Sequence, residues 1–159
     1  MMVAMKKEKI SKHITFNEAT RSETAKALGI DNTPNKKELE NIKRVAEEIF
    51  EPLRKWAGHP IRVNSCFRSE RTNKSIGGSS TSAHRFGLAM DLDSLGKKTN
   101  ADLFRWMEKN LKFDQLIWEF GTEENPAWIH VGICEDEKNY RNQKLTATKS
   151  RSKTRYSFR

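Results

Sequence analysis

The chain has 159 residues, and its 30 Lys and Arg against 21 Asp and Glu give a formal net charge of +9 at pH 7. This length fits one domain with a core of useful size, and no apolar run approaches membrane-spanning length. The first residues lack the apolar region and cleavage site of a secretory signal, so we expect the protein to be cytoplasmic on synthesis. Cys66 and Cys134 imply no disulfide framework.

The positive charge is concentrated at the two ends of the chain. Residues 138–159 contain eight basic residues and no acidic one, and residues 1–12 add Lys6, Lys7, Lys9 and Lys12. Such ends suggest attraction to a polyanion, such as nucleic acid, an anionic membrane surface or an anionic bacterial wall polymer. A disordered, solubilising tail is the alternative. The sequence thus predicts a basic extension over 1–12, a domain over 13–137 and a basic tail over 138–159.

Two helical segments are predicted in the first third of the chain. Thr15 opens a capping box, and Gly29 is a plausible stop, which predicts a short helix between them. Asn35 begins a longer helix, whose apolar residues recur at helical spacing up to Leu53. Pro52 is expected to bend or shorten the end of this helix.

The middle of the chain alternates strands, a loop and one helix. A strand over residues 61–65 runs into Cys66-Phe67-Arg68, and the polar residues 69–83 are predicted as a loop. It is not a phosphate-binding loop, because no Gly-Lys-Ser/Thr follows it. A helix from Thr99 or Asn100 to Asn110 and a strand over 113–120 come next. Helices followed by mostly antiparallel strands and one crossover helix indicate an α+β domain.

The most informative residues lie in two further strands. Leu88, Met90 and Leu92 alternate with Ala89, Asp91 and Asp93, which is typical of a half-buried strand, and residues 128–133 alternate likewise around His130. If the two strands are neighbours, Asp91 and His130 emerge on one face, and His84 can fold over that face from a loop. Two histidines and a carboxylate, with a fourth position left to water, are typical of catalytic zinc. Hydrogen-bonded structural histidines are the alternative.

These residues also carry a resemblance. The pattern Ser-x-His-x-x-Gly-x-Ala-x-Asp over 82–91, followed by Trp-Ile-His over 128–130, resembles the D-alanyl-D-alanine carboxypeptidase family of zinc peptidases. That family includes phage cell-wall endopeptidases and shares its fold with hedgehog signalling domains. The likeness takes in Ser65 to Ser69, Asn73 and Gly77-Gly78, and covers roughly residues 13–135. It implies a small, mostly antiparallel sheet with helices on one face, and Zn²⁺ bound by His84, Asp91 and His130. Manganese or cobalt suits the same ligands.

Hydrolysis at such a zinc needs a carboxylate that takes a proton from the bound water. In relatives the catalytic Glu often lies three residues before the second histidine, where this chain has Ala127. Glu119 instead matches the branch of the family whose acid ends the preceding strand, and a hairpin would bring it near the metal. A solvated strand-end carboxylate is the alternative for Glu119.

Three further residues have predicted roles, and those of Arg68 and Ser82 are implied by the resemblance. Arg68 would bind the substrate carboxylate or steady the developing oxyanion, because its planar guanidinium is always charged. A surface arginine is the alternative. Ser82 is expected to hydrogen-bond the substrate or a ligand. Asp93 either orients a ligand or is a plain strand-end residue.

The sequence therefore predicts a zinc-dependent peptidase that hydrolyses peptidoglycan stem peptides. It would be a carboxypeptidase that removes a terminal D-alanine or an endolysin-type endopeptidase, monomeric and acting at the bacterial cell wall once released. Two alternatives stay open. One is a zinc-containing binding module without activity, as in hedgehog domains. The other is a nucleic-acid-associated protein that uses its basic ends, whose salt-sensitive DNA binding would survive removal of zinc.

Overall fold

The computed structural model describes residues 8–159, which form an α+β fold. The strands are β1 (Lys9–Ser11), β2 (Ile14–Thr15), β3 (Ile61–Ser65), β4 (Ala89–Ser94), β5 (Gln115–Glu119), β6 (Trp128–Gly132), β7 (Gln143–Ser150) and β8 (Lys153–Phe158). The α-helices are α1 (Phe16–Thr20), α2 (Glu23–Leu28), α3 (Lys36–Val45), α4 (Glu51–Ala57), α5 (Glu70–Ser75) and α6 (Asn100–Asn110). A π-helical turn, Ala46–Phe50, joins α3 to α4, and two 3₁₀ turns cover Ala83–Phe86 and Glu137–Asn139.

The strands form two sheets. β1 and β2 make a small antiparallel pair, and the other six are ordered β3-β4-β6-β5-β7-β8. All neighbours in the larger sheet are antiparallel except β5 and β7, which run parallel. The predicted α+β fold with a mostly antiparallel sheet is therefore confirmed. Within residues 8–159, no helix is long and apolar enough to cross a membrane.

The core lies between the helices and one face of the larger sheet. Alternation along each central strand sends every second side chain to that face. The strands contribute Met90, Leu92, Leu116, Trp118, Ile129 and Val131, and the helices contribute Ile42, Ile49, Leu53, Leu103, Phe104 and Met107, all almost fully buried. Each such side chain stabilises the fold by about 1.5–3 kcal/mol. The intervening residues of β4, β5 and β6 are consequently turned to the opposite face.

The predicted helices differ from the observed ones at two places. The first predicted helix is observed as two helices, α1 and α2. Arg21 between them is extended, and the Ser22 hydroxyl caps α2 by accepting from the Ala25 N–H. The second predicted helix is not shortened by Pro52, because α4 runs on to Ala57. A proline ring clashes with the carbonyl four residues before it. The wider π-helical turn that ends two residues before Pro52 accommodates this clash without ending the helix.

The segment predicted as a loop over 69–83 is partly helical. Ser69 caps α5 by accepting from the Thr72 N–H, and the 3₁₀ turn Ala83–Phe86 leads to Gly87 at φ +73°. A side chain at Gly87 would lie 2.6 Å from the carbonyl oxygen of Glu38, so only glycine fits there. This turn fixes how the chain enters β4.

Both predicted basic extensions contain strands. Residues 1–7 lie outside the described residues, and Lys9 to Ser11 form β1. At the other end, β7 and β8 extend the larger sheet, and Leu145 and Ala147 are buried in it. The alternative that residues 138–159 form a disordered tail is therefore wrong. The prediction that residues 13–137 form a domain of their own stays a prediction.

Candidate metal centre

Three side chains converge on the face of the larger sheet opposite the helices. The β4–β6 register places Asp91 directly across from His130, and the 3₁₀ turn before β4 supplies His84. One ligand atom from each residue lies within 4.8 Å of the others. The Asp91 Oδ1 is 3.1 Å from His84 Nε2 and 3.0 Å from His130 Nδ1. The sequence predicted this convergence, and the group can hold a metal ion.

The orientation of the His84 ring is set by a hydrogen bond on its other side. His84 Nδ1 donates to the carbonyl oxygen of Cys66 over 2.7 Å, which leaves the Nε2 lone pair facing Asp91. The ring is buried, and burial lowers the pKa of His84 despite the attraction of Asp91. A neutral imidazole with one nitrogen fixed as a donor is the form in which histidine binds metals.

The charge on Asp91 suits a cation. Burial alone would raise the pKa of Asp91, but the two neighbouring histidines outweigh burial and hold it well below its usual range. An ionised carboxylate beside two imidazoles is a common donor set for zinc. The residues present therefore fit the metal that the sequence predicted.

Glu119 lies close to this group at the end of β5. The β5–β6 hairpin pairs Ile117 with His130 and Glu119 with Trp128, so Glu119 is one pleat further along the same face. Only 8% of Glu119 is exposed, and burial raises its pKa to about 7, with His130 opposing and Asp91 adding to that effect. Phe120, the next residue, has φ +54°, a strained conformation for a non-glycine residue.

Arg68 lies on the other side of the metal group, three residues beyond β3. Its backbone N–H donates to the carbonyl of His84, and its guanidinium donates to the hydroxyls of Ser65 over 3.2 Å and Ser82 over 3.5 Å. Within residues 8–159, the buried Nε of Arg68 has no hydrogen-bond partner. Arg68 is thus held beside the metal group by two hydroxyls, and the residue is partly exposed and lines the same cleft.

All six predicted site residues line one cleft of about 790 Å³. A cleft of this size accommodates a short peptide. The six are His84, Asp91, His130, Glu119, Arg68 and Ser82.

Asp93 does not orient a histidine ligand, which was one of its two predicted roles. Its Oδ1 accepts from the Asn100 side-chain amide over 2.8 Å, and the Asn100 Oδ1 in turn accepts from the Ser94 N–H. Asp93 therefore ties the end of β4 to the start of α6 and hydrogen-bonds neither histidine.

Sequence reasoning missed two features of the site. The first is the Cys66 carbonyl, since a main-chain acceptor leaves no signature in residue types. The second is Tyr156, which lines the cleft from β8. Alternation of Leu145 and Ala147 with polar residues, ahead of a turn at 151–152, was the available signal. The density of basic residues obscured it.

The α+β fold thus carries a group of three converging donors that can hold a metal ion. The sequence model described as Peptidase M15 matches residues 12–132. This range is most of the chain, so the chain belongs to the Peptidase M15 family, whose members are zinc-dependent. The match includes all six site residues and ends before β7 and β8. A search of curated proteins gave no match.

Proposed function

We propose that this protein is a zinc peptidase that hydrolyses peptidoglycan stem peptides. The observation that carries the proposal is that a partly exposed arginine and a carboxylate of raised pKa line the same cleft as the metal-binding group. A structural zinc site requires neither. The family supports a peptide substrate, and the resemblance to cell-wall carboxypeptidases and endopeptidases supports the wall peptide in particular.

His84, Asp91 and His130 would hold the metal, and three protein ligands leave a fourth position for solvent. Zinc bound there would polarise the scissile carbonyl and lower the pKa of a bound water. Behind the ligands, the Cys66 carbonyl keeps the His84 ring in the binding tautomer. This contact preorganises the site before a metal arrives.

Glu119 would act as the general base and then the general acid. A carboxylate with a pKa of about 7 can accept a proton from water and pass it to the leaving amine near neutral pH. Glu119 is one pleat from His130 on the same face, so it lies on the metal side of the sheet. The same burial that raises its pKa would exclude competing solvent.

Arg68 would bind a substrate carboxylate or the oxyanion that develops at the scissile carbonyl. Its guanidinium is held near Ser82, and Arg68 lines the same cleft as the metal-binding group. An uncharged donor would be a weaker partner for an anion in such a site. Stem peptides end in a free carboxylate, which fits this position, and Ser82 would add a hydrogen bond to the same part of the substrate.

The proposal is tested with purified peptidoglycan and synthetic stem peptides, together with metal analysis. We expect wild type to bind one zinc per chain and to lose hydrolysis when zinc is chelated. His130→Ala should lose the metal. Glu119→Gln should keep it and lose about 10²–10⁴-fold in kcat. Glu123→Gln, which removes an exposed carboxylate from the turn after β5, is the matched control and should keep full activity.

Other outcomes identify the alternatives. A protein that binds zinc stoichiometrically but cleaves no peptide would be a zinc-containing binding module. Salt-sensitive DNA binding that survives chelation would indicate a nucleic-acid-associated protein. Normal hydrolysis by Glu119→Gln would mean that another group is the base.

A further inference from the structure

The C-terminal hairpin, strands β7 and β8, continues the sheet face that carries the metal group. Four residues are paired in sequence across neighbouring strands. Trp128 on β6 pairs with Glu119 on β5, Glu119 pairs with Ala147 on β7, and Ala147 pairs with Tyr156 on β8. Side chains opposite one another in neighbouring strands point to the same face. Tyr156 consequently lines the cleft together with Glu119 and His130.

Ala147 on β7 separates Glu119 from Tyr156 in the sheet register. It is fully buried, and its side chain is only a methyl group. Tyr156 is 58% exposed although it is aromatic, so more than half of this residue's surface is open to solvent. An exposed tyrosine in a cleft offers an apolar ring and a hydroxyl to a ligand.

The hydroxyl of Tyr156 is a donor at neutral pH, because a phenol has a pKa of about 10. A protonated phenol can donate to a peptide carbonyl and can also accept from a peptide N–H.

Arg68 and Tyr156 lie at opposite ends of the cleft. The strand order places Arg68 beyond β3 at one edge of the sheet and Tyr156 on β8 at the other. Asp91 on β4 and His130 on β6 lie between them. A peptide whose scissile bond sits at the metal group and whose carboxylate reaches Arg68 must extend towards Tyr156 with its amino-terminal residues.

We propose that Tyr156 is a substrate-binding residue that contacts the peptide on the amino-terminal side of the scissile bond. The inference rests on the proposed peptidase function. It adds that Tyr156 makes the enzyme prefer peptides long enough to reach it. The Peptidase M15 match ends at residue 132, so β8 belongs to the part of the chain outside that match. The hairpin would therefore set a preference of this chain beyond what the matched residues supply.

The test compares two synthetic stem peptides with the same scissile bond and the same free carboxylate, one full length and one shortened at its amino-terminal end. For the full-length peptide, Tyr156→Ala should raise KM about three- to tenfold with kcat little changed. For the short peptide it should change neither. Tyr156→Phe should give a smaller increase in KM, because the ring is retained.

Binding gives a readout that does not depend on turnover. Zinc-loaded Glu119→Gln, with and without Tyr156→Ala, is titrated with each peptide by calorimetry, and the second substitution should raise the Kd for the full-length peptide alone. Phe158→Ala is the matched control, because Phe158 is a more exposed aromatic residue on the same strand and does not line the cleft. Zinc content should be the same in all variants.

The failures are distinguishable. If wild type hydrolyses neither peptide, the proposed function is wrong, and equal peptide affinity with and without Tyr156→Ala then overturns the inference too. If wild type hydrolyses both peptides and Tyr156→Ala matches it, only the role of Tyr156 is overturned. Equal losses on both peptides would also overturn it, since a general effect on the fold or the metal group does not depend on peptide length.

Discussion

The Nδ1 atom of His84 lies 2.7 Å from the carbonyl oxygen of Cys66, so a main-chain group just beyond β3 fixes the tautomer of a ligand that precedes β4. The contact is buried and joins two segments that are 18 residues apart. With Nδ1 bonded in this way, Nε2 of the ring lies 3.1 Å from Asp91 Oδ1. The metal group is thus supported by the backbone of the neighbouring strand.

We expect Cys66→Ala to keep the zinc site, since Cys66 acts through its carbonyl. Burial, with a contribution from Asp91, raises the pKa of the Cys66 thiol to about 12, so the thiol stays protonated and does not bind metal at neutral pH. Removing the buried sulfur should cost about 1–2 kcal/mol of unfolding free energy. Metal analysis and denaturant unfolding measure both effects. Cys134→Ala, at a partly exposed site, is the control, and loss of zinc from Cys66→Ala alone would contradict the expectation.

The sequence was sufficient to predict the site where alternation and chain order act together. Asp91 and His130 each occupy the polar position of an alternating strand, and pairing of these strands brings them face to face without further information. The hairpin then carries Glu119 to the same face by the same rule. Period-two alternation thus determines the face on which each of these residues lies.

Features that depend on tertiary contacts were not predictable in this way. A carbonyl acceptor such as that of Cys66 is present in every residue, so residue types do not single it out. The hairpin was misread for another reason. Its alternation is interrupted by Lys149, Arg151 and Lys153, and a strand at the edge of a sheet carries such charges to discourage association. The same residues therefore suit a tail and an edge hairpin equally well.

Arg68→Lys should reduce selectivity for substrates with a free carboxylate. The substitution keeps the charge but loses the planar fork that bonds Ser65 and Ser82. We expect kcat/KM for a carboxylate-ended peptide to fall about 10- to 100-fold, and that for the matching carboxamide to change little. Steady-state kinetics with the two peptides measure the difference. Arg71→Lys, on an exposed face of α5, should leave both values unchanged, and equal losses on the two peptides would contradict a carboxylate-binding role.

Glu119→Gln should stabilise the metal-free protein in a pH-dependent manner. Burial raises the pKa of Glu119 from 4.5 to about 7, so ionising it costs more in the folded state than in the unfolded state. The unfolding free energy of wild type should consequently fall as the pH rises from about 4.5 to 7, and then level off. The variant should lack this fall and be more stable above pH 7 by about 1–3 kcal/mol.

The measurement is denaturant unfolding in the presence of a chelator at a series of pH values. Glu123→Gln is the control, because its exposed carboxylate should give the same pH profile as wild type. A constant difference between Glu119→Gln and wild type from pH 4 to 8 would show that the Glu119 carboxyl titrates normally.

Truncation after residue 142 should destabilise the whole domain rather than free a tail. It would remove Leu145 and Ala147 from their contacts with Ile117 and would take away Arg159, whose guanidinium lies 3.9 Å from the ring centroid of Trp118. It would also leave the outer edge of β5 unpaired, which favours association between chains. We expect a loss of about 3 kcal/mol or more of unfolding free energy, measured by denaturant unfolding, with aggregation followed by light scattering. An unfolding midpoint equal to that of the full chain would instead support an independent domain ending near residue 137.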